Sequence, residues 1–482
     1  MSRLSIFEPV YFFPTSNSGT NITHNSQLIT HNSLLITQNY YSMKPILIVC
    51  AFMFLLSCSS QKDYKKIFND PTLYSNTVHE LNGVVMGNNF SPVVASRNYT
   101  YAAIAGYEII AAGYPDQFYS LAGQLTGLKE VPKPAQGKQI DFEYAALMAY
   151  CKVGEAVTFP EGSLKEYVDS LKMLATNHGM PQDVQKNSDE YAQQVAGTII
   201  AWSKKDNYAE TRSAAKFTVT ELEGSWQPTP PMYAAAVEPH WGDIRPMVMD
   251  SASQFRSPAP PKFDIKDKNS EYYKNVMLIK HAGDSLTPEQ IHIAEFWDDN
   301  PFKLNVSGHA SFNTKKFSPT GHWMSIVGIA AEKSKSDLKT TVYAYAKTSI
   351  AFFDAFIQCW DSKYLYKTVR PETVINKYFD PNWHPYLQTP AFPEYTCGHS
   401  TISSAAAEAL TNVFGDNFAY TDTTELEFGV KSRSFKSFRD AAWENNSARF
   451  YGGIHFHSSC LVSNAYGKKV GDYVMDHLKM KK

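Results

Sequence analysis

Along most of the chain apolar residues recur at intervals of three and four, and alternation with a period of two is scarce. Ser91-Pro92 opens the first clear helix, with Ser as cap and Pro at the first helical position, and an Ala/Tyr/Ile-rich run carries it to Gly113. A second helix is predicted over 140–153. A third covers 164–175, where Leu164, Val168, Leu171 and Leu174 fall on one stripe. Tyr191, Val195, Ile199 and Trp202 recur at helical spacing and predict a fourth over 188–202. The periodicity then breaks at 226–263, which holds eight prolines and forbids long helices. Trp226, Tyr233, Trp241 and Met247 make that connector one that packs down on the rest. Thr287-Pro288-Glu289-Gln290 has the form of a capping box, and helices resume after it. The stretch 341–363 carries no Gly or Pro and predicts a long, mostly buried helix. These elements imply an all-α protein of two adjacent helical bundles, 58–225 and 264–482, joined by 226–263.

The first 57 residues follow other patterns. Residues 1–42 are rich in Ser, Asn and Thr, nearly uncharged, and contain a close repeat at Asn25 and Asn32. Such low complexity cannot build a core, and 1–42 reads either as untranslated, with Met43 the true first residue, or as a disordered extension. From Met43, a lysine precedes the apolar run Ile46 to Leu56, which is too short to span a bilayer and suits a signal peptide over 43–57. Leu55-Leu56-Ser57-Cys58 resembles a bacterial lipobox, which makes Cys58 the lipid attachment site. The expected location is the bacterial cell envelope, with the membrane touched through a lipid anchor only.

Composition narrows the function. With 482 residues, 43% hydrophobic and 14% aromatic, the chain can bury a large core. A formal charge of −2 argues against a nucleic-acid partner, so any attraction for anions is local. Beyond Cys50 and Cys58, the cysteines Cys151, Cys359, Cys397 and Cys460 are spaced for neither zinc nor a disulfide framework.

Candidate chemistry concentrates in 341–478. Lys363 is followed after six residues by Arg370-Pro371. Pro393-Glu394-Tyr395-Thr396-Cys397-Gly398-His399-Ser400 leads into an Ala-rich helix. Ser447-Ala448-Arg449 is followed after five residues by His455, behind Gly452-Gly453. Three cations, two imidazoles and two glycine-bearing helix starts suit a multiply charged oxyanion, because free N–H groups at a helix N-terminus attract negative charge.

These clusters resemble, in order and spacing, the superfamily of vanadium-dependent haloperoxidases and type 2 phosphatidic acid phosphatases, whose pattern is K-x6-R-P, P-S-G-H and S-R-x5-H. Lys363, Arg370, Gly398, His399, Arg449 and His455 match it. Trp360 and Phe392 match the haloperoxidase branch, as pocket walls, and Ser91 to Arg97 looks like secreted bacterial members. The resemblance implies that Lys363, Arg370, Cys397, Gly398 and Arg449 bind the oxyanion. In a haloperoxidase His455 ligates vanadium in vanadate, His399 manages protons, and hydrogen peroxide oxidises halide. In a phosphatase there is no cofactor, His455 attacks phosphorus in a phosphate ester, and His399 protonates the leaving group. The absence of multi-pass helices favours the haloperoxidase reading. A lipoprotein that only captures an oxyanion is the third reading.

Three positions depart from the pattern. Cys397 replaces serine, and a thiol among cations is expected to have a lowered pKa. The third cluster places its serine one position early, at Ser447. Ser459 stands where an aspartate often orients the last histidine. Two other histidines read as structural: His322, in the turn Pro319-Thr320-Gly321-His322, and His457, as a solvated or backbone-bonded side chain.

Overall fold

The computed structural model describes residues 63–482 except Phe302 and Gly308. The signal segment 43–57 and Cys58 lie outside the described residues. The helices are α1 Tyr64–Phe68, α2 Pro71–Gly87, α3 Pro92–Gly113, α4 Phe142–Val157, α5 Lys165–Asn177, α6 Gln182–Ser203 and α7 Tyr208–Ser213, then α8 Glu271–Gly283, α9 Pro288–Phe296, α10 Pro319–Ser334, α11 Leu338–Tyr366, α12 Pro371–Tyr378, α13 Gly398–Phe414, α14 Phe438–Tyr451 and α15 His457–His477. Two short antiparallel hairpins interrupt them: β1 Lys303–Ser307 with β2 Ala310–Thr314, and β3 Tyr420–Asp422 with β4 Arg433–Phe435.

Caps set the helix limits more sharply than periodicity does. Ser91 accepts from the Val94 amide, as its sequence predicts, and Thr287 and Gln290 complete the capping box. The second predicted helix starts at Phe142 because Asp141 caps it through the Tyr144 amide. The fourth starts six residues early, at Gln182, directly after Pro181, and the long helix starts at Leu338 because Asp337 accepts from the Thr340 amide. The hairpins escape the sequence pattern because strands of three to five residues are too short to establish a period.

Helices from both halves share one hydrophobic core. At its centre α3 and α11 lie against each other, buried along most of their length. The Thr100 hydroxyl donates to the Ser349 carbonyl (2.9 Å), and the Tyr101 and Phe353 rings meet edge-on. The proline-rich connector is strapped along α11. Asp354 accepts from three consecutive amides, Met247, Val248 and Met249, at 2.7, 2.9 and 3.0 Å. Further down the helix, Gln358 donates to the Phe255 carbonyl and the Trp360 indole to that of Val237.

Helices α13 and α15 are held at unusually close range. A Cβ added at Gly467 would lie 2.1 Å from the Thr401 carbonyl oxygen, and one at Gly471 3.0 Å from the Ala405 Cα. Both obstacles are backbone, which cannot swing aside, so glycine at these places sets the distance between the helices that begin beside His399 and two residues after His455. Gly467→Ala is expected to destabilise the protein by about 1–3 kcal/mol, as overpacking does. Chemical denaturation measures it, and an unchanged midpoint would show that the helices can separate freely.

Candidate functional site

The three clusters meet where helix ends converge. Trp360 and Lys363 stand on the last two turns of α11, Arg370 is the N-cap of α12, Arg449 lies in the last turn of α14, and His455 comes two residues before α15. Cys397 is the N-cap of α13 but gives it no side-chain cap, which leaves the first-turn amides from Gly398 onward open to a guest.

All three cations are buried, and all three are held by carbonyl oxygens. Lys363 Nζ donates to Pro393 O (2.7 Å) and Glu394 O (3.1 Å). Arg370 donates through Nε to Phe392 O and through Nη1 to Ile454 O, both at 2.8 Å. Arg449 Nη1 donates to the carbonyls of Trp297 and Asp298. Among the described residues none of the three has a carboxylate within ion-pairing distance. Arg370 Nη2, Arg449 Nε and His399 Nε2 are buried with no hydrogen-bond partner. Burial lowers the pKa of Lys363 to about 8 and that of Arg370 to about 10. An anion in their midst would reverse that penalty.

Aromatic rings wall the cations. Phe392 faces Lys363 Nζ at 4.9 Å and the Arg370 guanidinium at 5.0 Å, and it meets Trp360 at 5.1 Å between centroids. Trp360 also closes over Gly398, where a Cβ would lie 3.4 Å from the ring. A cavity of about 240 Å³ opens beside them, lined by Phe392, His399, Arg449 and Ile454 and, on its far wall, by Pro230, Met232 and Val237 of the connector.

The two histidines have different settings. His455 Nε2 lies 3.1 Å from Arg370 Nη1, which only donates, so Nε2 carries the lone pair. Its Nδ1–H then donates to Glu394 Oε1 at 3.0 Å. The same oxygen accepts the Phe456 amide, and Ser459 Oγ donates to Oε2 at 3.0 Å. The orienting carboxylate missing at position 459 is thus supplied by Glu394, and Ser459 holds that carboxylate in place. Glu394 stands inside the second cluster, but its role was hidden because its partners lie 61 to 65 residues away.

His399 is held differently. Burial first, then Arg449, pushes its pKa well below the ordinary imidazole value, which favours its neutral form. Its Nε2 faces Asp299 Oδ2 at 3.8 Å. Asp299 in turn meets His322, whose histidine is fully buried in α10 and not merely part of a turn. Cys397 is buried as well. Burial disfavours its thiolate, yet Cys460, His455 and His399 bring its pKa well below the usual thiol value. Ser447 is turned away, donating to the Trp443 carbonyl at the surface, and His457 packs edge-on against Phe450.

The family model for the second helical-bundle domain of VCPO matches residues 343–481. Among solved structures, that of a bacterial vanadium-dependent iodoperoxidase is 43% identical with a TM-score of 0.80, over 85% of this chain and 97% of that one. A holo bacterial vanadium-dependent chloroperoxidase is 18% identical (TM-score 0.58, 81% of this chain and 94% of that one). Its apo counterpart is 17% identical (TM-score 0.57, 81% and 95%), and at such identities the likeness concerns the fold alone. A search of curated proteins finds no match.

Glu394→Gln tests the histidine setting without reference to any reaction. Losing the carboxylate behind Nδ1 is expected to weaken orthovanadate binding by about 10–100-fold, the usual cost of removing an outer partner of a ligand. Isothermal titration calorimetry measures it; an unchanged affinity would show that His455 needs no such support.

Proposed function

The chain belongs to the vanadium-dependent haloperoxidase family, and from that premise we propose that it is an enzyme that oxidises halide with hydrogen peroxide on a vanadate held by His455. The observation that carries the proposal is the set of three buried cations with no carboxylate to balance them, two of them with an orphaned nitrogen. A multiply charged oxyanion fits that donor set. Vanadate, when bound, supplies the redox chemistry that activates peroxide, which no side chain here can provide. Iodide is the first halide to assay, because the 43% identical relative is an iodoperoxidase.

The residues divide the remaining work. Lys363, Arg370, Arg449 and the Gly398 amide bind and orient oxyanion oxygens, in positions fixed before the guest arrives. Glu394 keeps the lone pair of His455 on Nε2, the tautomer that both a ligand and a nucleophile require. Neutral His399 takes a proton from peroxide and returns it to the departing water. The balance is peroxide, halide and one proton giving hypohalous acid and water, so halide is oxidised and peroxide reduced. Phe392, backed by Trp360, and the connector residues Met232 and Val237 form the apolar wall of the site. The same Nε2 lone pair also suits in-line attack on phosphorus, which keeps a phosphatase as the second reading.

Replacing His455 with Ala is expected to abolish vanadate capture beyond weak ionic binding, along with turnover. His399→Ala should retain vanadate but lose about 10²–10⁴ in turnover, the usual contribution of general acid–base catalysis. Because the pKa of His399 is depressed, the base form persists as pH falls, and the acid limb attributable to it should lie below the ordinary imidazole range. Triiodide formation and phosphomonoester hydrolysis, with and without vanadate, separate the readings. Efficient ester hydrolysis that vanadate only inhibits would establish the phosphatase, and no turnover of either kind would leave a binding protein.

We also propose that the protein is an exported lipoprotein attached at Cys58, on the basis of the apolar run and lipobox-like sequence before it. Among the described residues no helix is long and apolar enough to cross a membrane. Cys58→Ala is expected to release the protein from envelope membranes or block its processing. Unchanged fractionation and migration would overturn the anchor.

A further inference from the structure

Behind the site lies a cluster of ionisable groups that no motif predicts. His322 on α10 is fully buried between two carboxylates: Nδ1 is 2.7 Å from Asp299 Oδ1 and Nε2 is 3.0 Å from Asp422 Oδ2. A neutral imidazole has one N–H and can satisfy only one of these acceptors, so the geometry asks for an imidazolium. The Trp297 ring stacks on it at 4.6 Å between centroids, and Phe296 meets it edge-on at 5.4 Å. Glu425 Oε1 lies 3.9 Å from Nδ1, and its other oxygen takes a hydrogen bond from Lys316 at 2.7 Å. His399 approaches from α13 through Asp299.

The segment that His322 grips is also the one that holds the site. The carbonyls of Trp297 and Asp298 accept from Arg449, and the next residue, Asp299, presents Oδ2 toward His399. Asp299 adopts a left-handed backbone (φ 42°), a conformation that a non-glycine residue keeps only when its surroundings enforce it. Its Oδ2 is buried without a hydrogen-bond partner, poised on the His399 side.

We propose that His322, protonated and clamped between Asp299 and Asp422, is a positioning cation that fixes the 297–299 segment and so sets the placement of Arg449 and the proton affinity of His399. It rests on the reading of His399 as proton carrier. Asp299, His322 and Glu425 have the spacing of a metal site, but both ring nitrogens of His322 are engaged by carboxylate oxygens, which leaves an imidazolium no lone pair for a metal, and Glu425 is paired with Lys316. Burial opposes the charge on His322, and Asp299 and Asp422 outweigh it, raising the pKa well above the ordinary histidine value.

Nitrogen NMR of histidine-labelled protein tests this without any assay. One imidazole is expected to stay protonated at both nitrogens at pH 9, and its signal to disappear in His322→Gln. Were every histidine neutral at that pH, or a divalent metal ion other than vanadium found bound one per chain by elemental analysis, the proposal would fall. In the oxidation assay, Asp422→Asn and His322→Gln should lower turnover by about 10–100-fold. Orthovanadate affinity, which rests on Lys363, Arg370 and His455 as well as on Arg449, should fall by less than turnover, and the pH profile should move. Equal loss of affinity and turnover, with an unmoved profile, would mean that the cluster is only structural. If no halide is oxidised at all, the proposed function fails while the NMR result still decides the state of His322. Should His322→Gln not fold, the wild-type signal and Asp422→Asn carry the test.

Discussion

Three buried cations, held chiefly by backbone carbonyl oxygens, set the terms for everything else in this structure. Removing an ion from water costs several kcal/mol even after relaxation, and among the described residues no carboxylate sits in ion-pairing range of Lys363, Arg370 or Arg449. Six carbonyls, those of Phe392, Pro393, Glu394, Ile454, Trp297 and Asp298, supply what compensation there is. Because carbonyls belong to the backbone, the cations are fixed only as well as the chain around them. This explains the rigidity of the frame: the connector strapped to α11 by Asp354, and α13 and α15 pressed together at Gly467. The charge that the fold leaves unbalanced is the charge that a guest brings.

Around that common centre each histidine has its own carboxylate, at a different distance. His455 makes a full hydrogen bond to Glu394, so its tautomer and ring orientation are locked. His399 faces Asp299 across 3.8 Å, too long for a hydrogen bond. The first arrangement suits a residue whose lone pair must point one way throughout a cycle. The second suits one that must gain and lose a proton, since a tight bond to an ionised carboxylate would hold the proton too firmly. The positive charge of Arg449 adds to this by keeping His399 neutral at rest.

The cations and both histidines were legible in the sequence because each sits at a helix end with local spacing, which motif order captures. The helices themselves were legible from periodicity, with limits corrected by caps such as Asp141 and Asp337. What remained hidden depends on partners far along the chain. Glu394 reaches His455 across 61 residues, and His322 joins Asp299 and Asp422 across 23 and 100. Nothing local marks His322 as different from a capping-turn residue: Ser318 and Pro319 do open a helix there, as the turn implies. Its buried neighbours alone reveal a second role. Ser459 likewise looked like a loss, and becomes intelligible only once Glu394 is seen to occupy the place of the missing aspartate.

Cys397 is the departure whose consequence reaches furthest. At the N-cap of α13 a serine would cap the helix and remain neutral, whereas this residue gives no side-chain cap and has a lowered pKa. A thiolate there would be a resident negative charge among Lys363, Arg370 and the two histidines. It would relieve part of the penalty of burying those cations and, by the same Coulombic terms, weaken their hold on an incoming oxyanion. Cys460 would limit the effect, because burial and the neighbouring Cys397 push its own thiol well up, which favours the protonated form beside a thiolate. A thiolate at Cys397 would then be shared with the Cys460 thiol, which dilutes that charge without removing it. To that extent the site would balance its cations from within, and the oxyanion would supply the remainder.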